Sequence, residues 1–257
     1  MTLPVFLAPE LVARTVDGTP APSVGTALAL GAEVASHAVK VRRMAVGEDL
    51  DVTDGAGLRV RGTLTAAAPD SLVLTVTAVT QEPVATPSLV LLQALAKQDR
   101  DLQAIEAATE VGVDAVIPWA AQRSIADWPA KKAGKMAAKW ENTLRAAALQ
   151  ARRVHVPALH ALVRGDRAAK GFGPGDLVLV LHEESSVPVP TALADVPEGT
   201  ERIVLVVGPE GGITEAEVAA FTAAGARIVR LGPTVLRASS AGPVGLALVQ
   251  TLLGRWA

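Results

Sequence analysis

Apolar residues recur along this chain in two rhythms, and the change between them falls just after residue 81. Before it, short Val-, Leu- and Thr-rich runs at 26–30, 50–53, 58–65 and 72–79 predict β-strands. Asp54-Gly55 and Pro69-Asp70 supply turns between them. Short strands at this spacing predict a small β-barrel over residues 1–72, followed by a second domain over 73–257. The segment His37-Ala-Val-Lys40-Val-Arg42-Arg43-Met44 is basic, and on pattern alone it also reads as a short helix with exposed bases.

Beyond Gln81-Glu-Pro-Val the texture alternates strand and helix. Residues 89–94 and 113–118 predict strands. A helix over 99–111 brings Leu102, Ile105 and Ala108 to one face, with Asp99 as N-cap and Gly112 just past the end. A second helix over 134–151 aligns Met136, Trp140, Leu144 and Ala148 at four-residue spacing. Three continuous apolar runs, 177–181, 203–207 and 226–231, lack the alternation of a half-exposed strand, which predicts a parallel sheet buried on both faces. Thr214-Glu-Ala-Glu217 has the form of a capping box and opens a helix that buries Val218 and Phe221 and stops at Gly225. The last helix, 240–253, tolerates Pro243 in its first turn. It is apolar nearly all round, which predicts burial in the domain or between subunits.

Composition narrows the chemistry. The 257 residues include no cysteine, so disulfides and thiolate catalysis are excluded. Four scattered histidines (His37, His155, His160, His182) form no ligand-spaced pair, and no metal site is expected. No apolar run reaches membrane-spanning length and the N-terminus lacks a secretory pattern, so a cytoplasmic protein is expected. The net charge of −2 hides a gradient: between Arg123 and Arg153 eight bases face only Asp127 and Glu141, a local excess of six. Such a stretch binds phosphates or is simply a solvated helix face.

Three loops carry the candidate chemistry. Val207-Gly208-Pro209-Glu210-Gly211-Gly212-Ile213 lies between a buried strand and a capped helix, where backbone amides can approach a ligand closely. It fits neither the dinucleotide fingerprint nor the phosphate loop of NTPases, and alone such a turn is more often a tight connection than a cofactor site. Leu231-Gly232-Pro233-Thr234-Val235-Leu236-Arg237 again follows a buried strand, and Leu181-His182-Glu183-Glu184 ends a third. Ligands gather at the C-terminal ends of strands in open α/β sheets.

Gly208-Pro-Glu-Gly-Gly-Ile-Thr followed by Leu231-Gly-Pro-x-x-Leu-Arg237 resembles the paired signature of RsmE-family 16S rRNA (uracil-N3)-methyltransferases, members of the SPOUT superfamily. Further segments agree in order: Lys97-Gln-Asp-Arg100 with Glu110-Val-Gly-Val113, Arg123-Ser-Ile, Trp140 with Gln150-Ala-Arg-Arg153 and Pro157, Leu181-His182-Glu183, and His37 with Arg43-Met44 and Gly47. The family's R-I-L-R-T-E-T-A reads here Thr234-Val-Leu-Arg-Ala-Ser-Ser-Ala241, without one arginine and the glutamate.

The resemblance implies a trefoil-knotted α/β SPOUT domain preceded by a PUA-like β-barrel that helps hold RNA. It implies S-adenosylmethionine bound by Leu181, His182, Gly208, Glu210, Gly211, Gly212, Ile213, Leu231, Gly232 and Leu236, and a homodimer with the last helix at its interface. The implied partner is 16S rRNA, within the small ribosomal subunit, methylated at N3 of one uracil. Arg237 and Arg153 are then the candidates for orienting the base or a phosphate, and Glu210 is a candidate proton acceptor or a cap on the amides that follow it. Lys40, Arg42, Arg43, Arg123, Lys131, Lys135 and Lys139 are expected to contact RNA phosphates. The same loops would also serve a SPOUT enzyme acting on tRNA or a ribose 2′-OH, or a ribosome-associated protein without catalysis.

Overall fold

A computed structural model describes residues 3–11 and 22–256; the parts of the 1–72 assignment at 1–2 and 12–21 lie outside the described residues. The chain divides into two compact units, 1–84 with 148–156, and 85–147 with 157–257.

The first unit is built on a five-stranded sheet in the order β1-β3-β4-β5-β2. The strands are β1 (Val5–Leu7), β2 (Ala27–Leu30), β3 (Asp49–Thr53), β4 (Leu58–Ala68) and β5 (Ser71–Gln81). Alternate residues such as Leu28, Leu50, Val60, Leu72 and Leu74 turn inward into one apolar cluster. The pairing of β4 with β5 is irregular at Arg61/Gly62. Glycine suits the position, because a Cβ on Gly62 would lie 2.7 Å from the Thr75 carbonyl oxygen, a backbone atom that cannot turn aside. Buried Asp51 holds Arg61 at 2.8 Å and Arg59 at 3.1 Å.

Two features differ from the sequence expectation. The division falls after Val84 rather than at 72, because β5 stays paired with β4 as far as Gln81. Residues 148–156 also join this unit: Thr53 Oγ1 donates to the Val154 carbonyl at 2.9 Å, and Val156 N–H donates to Gly55 O at 2.9 Å. The basic segment is helical, α1 (Ala32–Ser36) running into a π-helical turn at His37–Val41. It leaves Lys40, Arg42 and Arg43 exposed, Arg43 with a φ of 57°.

The second unit carries a sheet in the order β12-β10-β11-β6-β7-β8, with β9 pairing β7, and every pair is parallel. Its strands are β6 (Ser88–Ala94), β7 (Ala115–Ala120), β8 (Ala158–Leu159), β9 (Val163–Arg164), β10 (Asp176–Leu181), β11 (Arg202–Val207) and β12 (Arg227–Val229). Helices α2 (Arg100–Glu110), α3 (Ala133–Gln150), α4 (Val189–Leu193), α5 (Glu215–Ala223) and α6 (Ala238–Leu252) connect or follow them.

The unbroken apolar runs have the cause expected of them. Leu89, Leu91, Leu179 and Leu205 face one core together with Val113, Trp140 and Leu246. Val90, Val178, Val180, Val204 and Val206 face the other, with Trp119 and Phe221. Trp119 and Phe221 meet edge-on with ring centroids 5.6 Å apart, and truncating either would cost about 3–5 kcal/mol. The capping box forms as read: Thr214 Oγ1 accepts from Glu217 N–H at 3.3 Å, and Glu217 Oε2 accepts from Thr214 N–H at 3.0 Å.

At two helices the detail departs from expectation. Asp99 stands at the N-cap of α2, but its backbone is left-handed, its side chain makes no cap, and it pairs instead with Lys139. Helix α6 begins earlier than expected, at Ala238, so Pro243 lies inside it rather than in its first turn. One face of α6 is buried through Gly242, Gly245, Leu246 and Val249, while Val244 and Leu252 are exposed.

Candidate active site

Strands β12, β10 and β11 are neighbours and run in one direction, so the loops leaving their C-terminal ends emerge side by side. These are the three loops singled out from the sequence. They enclose two adjoining hollows of about 270 Å³ and about 120 Å³. Leu181, Glu183, Val235, Leu236 and Ala241 border both.

The larger hollow is edged by Gly208, Glu210, Gly212 and Ile213 from the loop after β11, and by Leu236 and Arg237. The smaller is edged by His182, Leu231 and Gly232. Of the residues expected to bind cofactor, Gly211 alone lines neither, and it has another task. Arg123 Nη1 donates to the Gly211 carbonyl at 3.2 Å, and a Cβ on Gly211 would lie 2.9 Å from Arg123 Cβ and 3.0 Å from Arg123 O. Arg123, expected on the RNA side, is thus built into the support of the glycine loop. Gly208 is equally constrained, since its Cβ would lie 2.6 Å from Ile213 Cγ1.

Glu210 does not cap the amides that follow it. Its Oε1 accepts from Arg100 Nη1 at 3.0 Å and from the Lys97 backbone N–H at 3.3 Å. The carboxylate therefore fastens the loop after β11 to the loop after its neighbour β6. Neither Lys97 nor Arg100 was assigned a role from sequence, although both stand just beyond the C-terminal end of a central strand, where ligands collect. Buried Glu217 adds a second tie: its Oε1 accepts from the Gln122 N–H at 2.8 Å, fixing the segment that carries Arg123.

Arg237 occupies the N-cap position of α6 with extended backbone, and its exposed side chain borders the larger hollow. The other expected arginine, Arg153, belongs to the first unit, as do Lys40, Arg42 and Arg43. Lys131, Lys135 and Lys139 are exposed at the start of α3 and along it, Lys139 with its Nζ 2.9 Å from Asp99 Oδ1.

Comparison with known proteins agrees with this geometry. Residues 83–250 match the family model of an RNA methyltransferase domain, and residues 30–77 match that of an RNA methyltransferase PUA domain. Fold and site together define an RNA methyltransferase of the SPOUT class with a PUA-like N-terminal domain. The chain is 38% identical over 239 residues to the ribosomal RNA small subunit methyltransferase E of Mycobacterium bovis, which covers 91% of this chain and 90% of that one. To the enzyme of the same name from Bacillus subtilis it is 29% identical over 246 residues, 93% of each chain. The crystal structure of a ribosomal RNA small subunit methyltransferase E from Neisseria gonorrhoeae bound to S-adenosyl methionine matches with a TM-score of 0.83, at 25% identity and 98% coverage of both chains. The chain belongs to the ribosomal RNA small subunit methyltransferase E family.

Proposed function

We propose that this chain methylates N3 of one uracil in the 16S RNA of the small ribosomal subunit, using S-adenosylmethionine. The observation that carries the reading is the convergence of three strand-end loops on one pair of hollows. Two of the glycines there, Gly208 and Gly211, are held so tightly that neither could carry a side chain without displacing its neighbours. Such a cradle presents backbone amides and carbonyls to a ligand, which suits a cofactor with an adenosine and an amino-acid end. When bound, S-adenosylmethionine supplies an electrophilic methyl group together with its own leaving group.

The residues of the chain then have three tasks. The backbone of 208–213 and 231–236, with Leu181 and His182, would hold the cofactor. Arg237, bordering the larger hollow, places a positive charge where the uracil ring becomes anionic as its N3 proton is lost to solvent water. Glu210 holds the glycine loop in register through Arg100 and Lys97, and we assign it to positioning rather than to proton transfer. Arg153 and the exposed bases Lys40, Arg42, Arg43, Lys131, Lys135 and Lys139 hold RNA phosphates, while Arg123 supports the cofactor loop.

The same reading includes a trefoil knot in the second unit and closure of the first unit's sheet as a barrel. Membership of the SPOUT class supports the knot. It also includes a homodimer, supported by Val244, Leu252 and Trp256, each more than two-fifths exposed on or just after α6. Among the described residues no helix is long and apolar enough to cross a membrane, and a cytoplasmic location goes with a ribosomal substrate.

The test is to incubate the purified protein with labelled S-adenosylmethionine and small subunits lacking the modification, then map the label. Methyl at N3 of a single uracil is the expected result. Label on another RNA or at a ribose oxygen would overturn the substrate, and cofactor binding without any label would overturn catalysis.

A further inference from the structure

A second cavity, of about 400 Å³, opens at the C-terminal edge of the same sheet, between the β6–α2 loop, residues 126–128 and α3. We propose that it receives a nucleobase unstacked from the RNA substrate; this rests on the RNA methyltransferase reading above. Its floor is apolar, made by Leu102, Met136, Trp128 and Trp140. The two tryptophans meet edge-on at 5.3 Å and are almost wholly buried, so the floor is rigid. The rim is polar and carries Lys97, Gln98, Asp99, Asp101, Asp127 and Lys139. Flat apolar faces with a hydrogen-bonding edge are what a nucleobase offers, and single-stranded RNA is recognised by such unstacked bases.

Three carboxylates at the rim would repel RNA if all were unpaired anions. Asp99 is paired with Lys139 at 2.9 Å, and Asp127 with Arg164 at 2.7 Å. Asp101 is buried and its Oδ1 accepts from the Leu102 N–H at 2.9 Å, so its carboxyl is partnered as well. The exposed Lys135 and Lys131 continue at four-residue spacing from Lys139, so the mouth of the cavity leads onto a row of cations suited to the flanking phosphates.

The cavity is tied to the cofactor site. Lys97, on its rim, donates its backbone N–H to Glu210 at 3.3 Å, and Glu210 lines the larger hollow. Gln98 and Asp99 hold φ values of 57° and 56°, a left-handed pair without glycine. Backbone held this way concentrates at ligand clamps. Extruding the target base into the cofactor site unstacks its flanking neighbours, and one of these is the base this cavity would receive.

The experiment uses the full chain with small-subunit RNA carrying 4-thiouridine, irradiated after binding, with crosslinked peptides identified by mass spectrometry. Crosslinks within 96–102 or 126–128 are expected. Crosslinks confined to other segments, from RNA that is still methylated, would overturn the proposal. Ala126→Trp, which fills the cavity, should raise the KM for RNA about tenfold, the weight of one lost base contact, with the Kd for S-adenosylmethionine within about twofold of wild type. An unchanged KM for RNA overturns the proposal. A changed sedimentation coefficient beside that unchanged KM would assign the cavity to a second copy of the chain. If Ala126→Trp does not fold, the wild-type crosslinks decide. If wild-type protein neither binds nor methylates the RNA, the proposed function fails and this inference falls with it.

Discussion

The guanidinium of Arg100 stands 3.0 Å from the carboxylate of Glu210, joining the start of α2 to the glycine loop after β11. Both side chains are about one-quarter exposed, at 24% and 26%, so water screens the pair only in part. The same Glu210 oxygen takes the Lys97 N–H, which makes one carboxylate the fastener of two strand-end loops.

Removing either end of that fastener should loosen the cofactor loop. Glu210→Ala and Arg100→Met are each expected to weaken S-adenosylmethionine binding about fivefold, on the order of 1 kcal/mol for a partly buried charge-assisted bond. Because both variants cut the Arg100–Glu210 link, the double variant should be little worse than Glu210→Ala alone, which also loses the Lys97 bond. Isothermal titration calorimetry on the four proteins tests this, and fully additive losses would show that the two residues act separately.

The glycines of the cradle separate steric from chemical roles. Gly208→Ala puts a methyl 2.6 Å from Ile213 Cγ1, and cofactor binding should fall by at least about tenfold. Shortening the obstructing side chain with Ile213→Ala should restore part of it. Gly211→Ala meets the Arg123 backbone at 3.0 Å instead, which cannot be trimmed, so no side-chain change at Arg123 should rescue it. The comparison needs only the dissociation constants of four variants.

The site was legible in sequence to the extent that it is made of backbone. Glycines between an apolar strand and a capped helix announce a close approach, and the loops after β10, β11 and β12 do meet, because those strands are parallel neighbours. Side-chain partnerships were not legible. Nothing local tells Glu210 that its partner is Arg100, or Arg123 that it will brace Gly211, since both pairs depend on strand order. Asp99 looked like a cap because it stands before a helix, yet its left-handed backbone turns the carboxylate to Lys139. The division at 72 failed for a similar reason. Periodicity finds the strand at 72–79 but not its partner β4, and pairing decides which unit a strand belongs to.

Arg237 should act on the reaction rather than on cofactor affinity. Its side chain is exposed at the mouth of the larger hollow, where charge develops on the nucleobase. Arg237→Ala is expected to lower kcat about a hundredfold, as loss of one charge-stabilising donor does elsewhere, with the Kd for S-adenosylmethionine little changed. Arg237→Lys should recover only part, because an ammonium cannot reproduce the planar fork of donors. Single-turnover methylation of small subunits measures both; a Kd that rises as kcat falls would place Arg237 in cofactor binding.

The bases on α3 make a separable contribution. Lys135→Glu with Lys139→Glu should weaken RNA binding and flatten its dependence on salt by about two ion equivalents, leaving cofactor affinity alone. Lys135 is the cleaner single test, since reversing Lys139 also sets an acid against Asp99. Filter binding between low and moderate salt reads the slope, and an unchanged slope would remove α3 from the RNA surface.

At the opposite end of the strands, Arg202 grips Asp176 through two bonds, Nε to Oδ1 at 2.6 Å and Nη2 to Oδ2 at 2.7 Å, across the register pair that opens β10 and β11. Burial pushes the Asp176 carboxyl up, but Arg202 and the Gly173 N–H outweigh it and hold the group below its usual range. A carboxyl lowered on folding stabilises the protein above the unfolded value, near pH 4, and loses that contribution as pH falls through the lower folded value. Arg202→Met should therefore cost about 1–2 kcal/mol at neutral pH, or roughly 3–6 °C in the melting of the second unit, a figure reduced because Arg202 is partly exposed. The gap between variant and wild type should close on acidification below about pH 4. Cofactor affinity should not change, because the pair lies at the N-terminal ends of strands whose C-terminal ends form the site. Thermal scans from neutral to acid pH, with calorimetry at neutral pH, test both parts; a gap that stays constant with pH would mean that Arg202 stabilises the sheet by packing rather than through its charge.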